Sequence, residues 1–255
     1  MAGNGNLLEL TGVTKRFGGL TAVDDVTYGV GKGEVRGIIG PNGAGKTTLF
    51  NVITGDLKPS AGKIFLNGEE ITGLPPHVIC QKGMSRTFQL TLIFPEMTVF
   101  DCVWVGVNSR AKGAGRLFFS RVDESGETAR KAMEIIRLVG LEERMHDQAS
   151  NLSYGDQKVL EIAMALSTEP LILLLDEPTQ GVGPQEADAI VQLIERLSER
   201  MSILLIEHDI DIILRVCHNI TVLNFGKVLA QGSCAEISRN EEVQRIYLGD
   251  ISCNF

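Results

Sequence analysis

A chain of 255 residues with 44% hydrophobic side chains can bury one substantial core, or a core with a satellite subdomain. Its 24 lysines and arginines against 32 aspartates and glutamates give a formal charge of −8, which argues against a general nucleic-acid binder, because neutralising phosphates demands a basic surface. Five scattered cysteines without a C-x-x-C pair, and a start lacking a charged segment followed by an apolar one, predict a reduced, cytosolic chain; its apolar runs are too short to cross a bilayer, which leaves a membrane surface open to it.

Alternating apolar and polar residues over 7–13 and 22–30 predict two half-buried strands. Residues 34–40 read as a buried strand, and 46–54 as a helix closed by Gly55. Residues 62–71 read as a strand with an Asn-Gly turn inside it, 75–82 as a proline-opened helix and 84–89 as a short strand. From 95 to 167 the pattern turns helical, with stretches at 97–107, 127–141 and 153–166. Strands at 171–176, 202–207, 220–226 and 227–232 then alternate with helices at 184–199 and 209–216. That order predicts an α/β core interrupted by a helical insertion. No internal repeat is visible. The Gly-rich stretch 108–121, with Arg110, Lys112, Arg116 and Arg121 and no acid, reads as solvated surface.

The segment Gly40-Pro41-Asn42-Gly43-Ala44-Gly45-Lys46-Thr47 fits the phosphate-loop pattern G-x-x-x-x-G-K-[ST] and lies between a predicted strand and a predicted helix. Bare backbone lets several N–H groups converge on an anion, and the following helix, through Thr47 and Thr48, points its positive end at the same spot. Lys46 suits the β- and γ-phosphates as a point charge, and the Thr47 hydroxyl suits Mg²⁺. Downstream, the apolar run "LILLLDEP" (171–178) ends abruptly in two carboxylates. A strand tip is where α/β sheets present ligands. Asp176 suits a magnesium contact, direct or through water, and Glu177 can orient and deprotonate an attacking water. A strand ending in a polar turn is common by itself. The phosphate loop upstream gives this one its meaning. His77, His146 and His218 have no metal spacing and are expected to be structural.

"NLSYGDQKVLEIAMAL" (151–166) opens with Ser153 at an N-cap position before an amphipathic helix. Here the chain resembles the ATP-binding cassette family, whose LSGGQ signature presents a serine, a glycine and a helix N-terminus to ATP held by the opposite subunit. The resemblance runs from about residue 7 to residue 249. It implies an α/β phosphate-loop NTPase core with an N-terminal antiparallel β subdomain and an inserted α-helical subdomain. Residues 7–250 would form a single domain, with 7–94 and 168–250 as the nucleotide-binding core and 95–167 as the helical signature subdomain. It further implies adenine stacking on Phe17 of "KRFGG", a Q-loop role for Gln89 of "RTFQ" in catalysis and at Mg²⁺, and a γ-phosphate contact for His208 of "LLIEHD". Ser153 and Gly155 would serve the ATP of the partner. ATP and Mg²⁺ are the implied cofactors.

The chain departs from the family pattern at Tyr154 and Asp156 in the signature, and at Gly183, where an aspartate normally ends the D-loop of "TQGVGP". "GLTAVDDV", "FPEMTVFD", "LEIAMAL" and the terminal "YLGD" are similar to ATPase subunits of branched-chain amino-acid uptake systems. Cassettes for amides, urea, aromatic acids and lipopolysaccharide export share parts of these segments and remain alternatives. The implied partners are membrane-spanning permease subunits, a second ATPase subunit (a copy or a sister) and, indirectly, a periplasmic or extracellular solute-binding protein, at the cytoplasmic face of the inner membrane, with no nucleic acid. A cassette that remodels ribosomes or DNA would usually carry two cassettes or a long coiled coil, and this chain has neither. A small-molecule phosphotransferase would leave the signature and His208 unexplained.

Overall fold

The computed structural model describes residues 5–87, 93–109 and 126–248. Gln89, most of the glycine-rich stretch 108–121 and the end of the "YLGD" run lie outside them.

The first two predicted strands form a long hairpin, β1 (Asn6–Phe17) and β2 (Leu20–Gly31), with Leu8, Leu10, Val13, Val26 and Val30 turned into the core. The expected strand at 62–71 is split into β4 (Ala61–Leu66) and β5 (Glu69–Glu70). The cause is local: Asn67 and Gly68 both have positive φ, as a tight two-residue hairpin turn requires. These four strands form an antiparallel sheet in the order β2-β1-β4-β5.

The second sheet has the order β10-β9-β3-β8-β7-β6, built from β3 (Val35–Ile39), β6 (Met84–Arg86), β7 (Ile172–Asp176), β8 (Ser202–Ile206), β9 (Asn219–Asn224) and β10 (Lys227–Ser233). All its pairings are parallel except that of β10 with β9. Its central strands β7 and β8 are buried at every position because both faces are covered. Ile172 and Leu174 pack toward the antiparallel sheet and α1 (Lys46–Ile53), while Leu173 and Leu175 pack toward helices on the other side.

The insertion contains α3 (Val99–Ser109), α4 (Glu127–Val139) and α5 (Tyr154–Leu166), as the periodicity predicts. Its apolar faces, through Val103, Ile136 and Leu160, join the same cluster as Leu173 and Leu205 of the sheet, so it has no core of its own. The proline-opened helix α2 (Pro76–Gln81) precedes β6, and α6 (Pro184–Ser198) and α7 (Ile210–Val216) alternate with the later strands. Two helices were not expected, α8 (Cys234–Ser238) and α9 (Glu241–Leu248). A capping box signals α8, since Ser233 and Glu236 cap each other's backbone N–H groups. No helix among the described residues is long and apolar enough to cross a membrane.

Candidate nucleotide site

The carboxyl ends of β3, β7 and β8 lie along one edge of the sheet, and β3 sits where the chain order reverses between β8 and β9. Open α/β sheets bind ligands at that place. The loop leaving β3 is pinned there by glycine. A Cβ on Gly40 would lie 2.3 Å from the Leu223 carbonyl oxygen, and one on Gly45 would lie 2.4 Å from that of Ala22. Gly45 also takes φ +99° as the N-cap of α1. The Gly226 N–H donates to the Ala44 carbonyl at 3.0 Å, so the β9–β10 hairpin backs the loop.

Lys46 folds over this loop, its Nζ donating to the carbonyls of Gly40 (2.7 Å) and Pro41 (3.2 Å). Burial pushes its pKa below the ordinary lysine value, and the charges of Glu177 and Asp176 oppose that shift. No acid stands in the first turn of α1, so its positive end is available to an anion. Residues 42–48 form one wall of a cavity of about 770 Å³, with Glu177, Gln180 and His208 also lining it and Leu20 and Phe225 at its apolar part.

Glu177 follows β7, is only 4% exposed and has φ +51°, with its N–H donating to the Ile206 carbonyl at 2.9 Å. A left-handed conformation is costly for a residue with a side chain and persists where surrounding structure enforces it, often at functional sites. His208 Nε2 approaches Glu177 Oε1 at 2.5 Å. The two therefore form one polar unit at the cavity. Asp176 behaves differently: it is buried, does not line the cavity, and its Oδ2 accepts from Arg86 Nη2 at 2.7 Å. Arg86, from β6, also donates to Asn51 Oδ1 on α1 at 2.5 Å.

Phe17 ends β1 opposite Leu20, is 46% exposed, and has Lys15 Nζ 5.0 Å from its ring centre. It stands beside the cavity, whereas Leu20 and the 85%-exposed Phe225 line it. Ser153 and Gly155 lie outside the cavity wall. Ser153 caps α5 as expected, its Oγ accepting from the Asp156 N–H at 3.1 Å. The same Oγ donates to Glu186 Oε1 at 3.0 Å, while Glu186 also accepts from the N–H groups of Gly183 (3.1 Å) and Gly155. Those donors hold the Glu186 carboxyl below the usual carboxylate range. The signature N-terminus thus holds the chain's own carboxylate.

The departures at Tyr154 and Gly183 are locally accommodated. A Cβ on Gly181 would lie 3.2 Å from the Tyr154 ring, so the glycine makes room for the aromatic, and Gly183 N-caps α6. His218 is structural as expected, its Nδ1 accepting from the Val35 N–H at 2.9 Å. Sequence reasoning missed Arg86, Thr179, Gln180, Glu186, Glu207 and Phe225. Of these, Glu186 had a legible signal, an acid three residues into a helix.

A glycine loop joining a buried parallel strand to a helix N-terminus, at the switch point of such a sheet, defines a phosphate-loop nucleotide-binding protein. Comparison narrows the class. The family model described as "ABC transporter" matches residues 23–180, and the chain belongs to that family. It is 41% identical to the high-affinity branched-chain amino acid transport ATP-binding protein BraF of Pseudomonas aeruginosa, over 96% of this chain and 98% of that protein. It is likewise 41% identical to LivG of Escherichia coli K12, whose description is the same, with the same coverage. Its fold superposes with a TM-score of 0.85 on the ADP conformation of MJ1267, an ATP-binding cassette of an ABC transporter, at 33% identity over 96% of this chain and 99% of that one. A dimeric bacterial cassette, MJ0796, gives 0.77 at 26% identity over 89% and 98%. The chain is a cassette ATPase with the α/β core, antiparallel sheet and helical insertion of that fold.

Proposed function

We propose that two such cassettes close around two ATP molecules and thereby drive a membrane-spanning permease that imports branched-chain or related amino acids. The observation that carries the composite site is the split geometry: Lys46, Glu177 and His208 share one cavity, whereas Ser153 and Gly155 stand outside it. A second chain has to bring the signature to the phosphates. The cargo follows from the relatives, whose descriptions name branched-chain amino acid transport.

In this reading Lys46 leaves the Gly40 and Pro41 carbonyls for the β- and γ-phosphates, the backbone N–H groups of 43–48 hold the phosphate chain, and Phe17 stacks on adenine. Thr47, Asp176 and Gln89 would hold magnesium, whose role is to neutralise phosphate charge. Hard oxygen donors fit that ion, and the pairing of Asp176 with Arg86 suits contact through water. Glu177 accepts the proton of the attacking water, and His208 positions the γ-phosphate against it. The helical part, 95–167, delivers Ser153 to the partner's nucleotide, and the segment near 90–105 grips the permease at the cytoplasmic face of the membrane.

Phe17→Ala is expected to weaken ATP and GTP binding alike, by about 1 kcal/mol or roughly fivefold, in a fluorescence titration. Unchanged affinity for both would shift the base-binding role to Leu20 and Phe225. For the whole reading, the chain is co-expressed with its permease and any sister ATPase, and reconstituted in vesicles containing ATP with the solute-binding protein added outside. Uptake of labelled leucine or a related amino acid, abolished by Lys46→Ala, is expected. Robust ATP turnover with no amino-acid uptake would overturn the cargo assignment.

A further inference from the structure

Glu207 is a buried carboxylate that hydrolysis, as described, leaves without a role. It directly follows β8, is 3% exposed, and stands immediately before His208. Its Oε1 accepts twice from Thr179, from the N–H at 2.9 Å and the hydroxyl at 2.7 Å. Its Oε2 accepts from the His208 N–H at 3.2 Å. Burial and the nearby Glu177 both push its pKa up, so the three donors offset an unfavourable placement for a charge.

Thr179 opens the segment 179–183, and that segment borders the signature: Tyr154 lies against Gly181, and Gly183 and Ser153 share Glu186. His208, on the other side of Glu207, holds Glu177. One carboxylate therefore ties the stretch flanking the cross-subunit element to the backbone of the histidine that orients the base. We propose that Glu207 is a positioning residue for hydrolysis, setting the pair of Glu177 and His208 in register with segment 179–183. The proposal rests on the assignment of Glu177 and His208 to hydrolysis. Its consequence is that the base is aligned when that segment is in place.

Glu207→Gln keeps the shape and an oxygen for both Thr179 donors, but turns an amide N–H₂ toward the His208 N–H. In the full chain, turnover at saturating ATP is expected to fall about 10- to 100-fold, as misplacement of a catalytic group does. Nucleotide affinity should stay within about twofold, since Glu207 is not in the cavity wall. Thr179→Val removes one bond and should lower turnover to a lesser degree, and Thr179→Ser should restore what Val loses. A part that only stabilises the fold would lower the melting temperature without this split between turnover and affinity. If Glu207→Gln folds poorly, the Val and Ser pair at Thr179 carries the test alone. Glu177→Gln, run alongside, separates the two assignments. Wild-type turnover in Glu207→Gln, or in Thr179→Val where that pair decides, overturns the proposal while an inactive Glu177→Gln leaves the hydrolytic reading standing. A fully active Glu177→Gln would overturn both.

Discussion

Replacing Glu177 by glutamine is expected to lower ATP turnover by about 10²–10⁴-fold while the chain still binds ATP. The substitution keeps the side chain's shape and its contact with His208, and it leaves the backbone bond to Ile206 untouched. What it removes is the group able to take the proton from water. Because binding survives and hydrolysis does not, the nucleotide sandwich should form and persist. Size-exclusion chromatography with ATP should then show a stable dimer that the wild type shows only transiently. Turnover near the wild-type rate would remove Glu177 from the role of base.

Ser153→Glu is expected to abolish turnover almost as completely, by about 10²-fold or more, through a different cause. At present Ser153 Oγ, the Gly155 N–H and the Gly183 N–H all serve the carboxylate of Glu186. In the proposed closure on ATP, the first two would turn to the partner's γ-phosphate. A glutamate at 153 sets a second negative charge at that spot, and like charges in a partly desolvated interface oppose closure. Lys46 and Thr47 are untouched, so ATP affinity of the isolated chain should change little. Loss of the cap on α5 costs about 0.5–2 kcal/mol, so a melting curve must accompany the assay. Mixing Ser153→Glu with Lys46→Ala should restore one intact composite site per heterodimer, with Ser153 of the Lys46→Ala chain facing the good phosphate loop. A covalently linked dimer with one wild-type composite site sharpens the test. If it binds ATP yet stays inactive, while a wild-type linked dimer and other one-site controls turn over, the site is not shared.

The parts of the site legible without coordinates are those whose chemistry is local. The strand, loop and helix around Gly40 and Lys46 are contiguous, so spacing alone reveals a phosphate cradle. The cap at Ser153 is equally local, a hydroxyl and an N–H three residues apart. The turn at Asn67 and Gly68 is legible in the same way, while its division of the strand into β4 and β5 is set by the hairpin geometry. The capping box at Ser233 and Glu236 is local in the same way.

What the amino-acid sequence determined by itself is therefore the nucleotide class of the protein, through a glycine loop set by a few contiguous residues, and its α/β order, through the periodicity of its apolar residues. Tertiary structure alone decided how the charges pair. Arg86 meets Asp176 across 90 positions, Glu186 meets Ser153 across 33, and Glu207 meets Thr179 across 28. Those meetings depend on β6, β7 and β8 lying side by side and on α5 packing by α6, and the apolar residues that impose that order carry no mark of which polar groups it will bring together. A buried carboxylate at the end of an apolar strand looks the same in sequence whether it takes a proton, answers an arginine or holds a neighbouring loop. Only its neighbours in space tell Asp176, Glu177 and Glu207 apart.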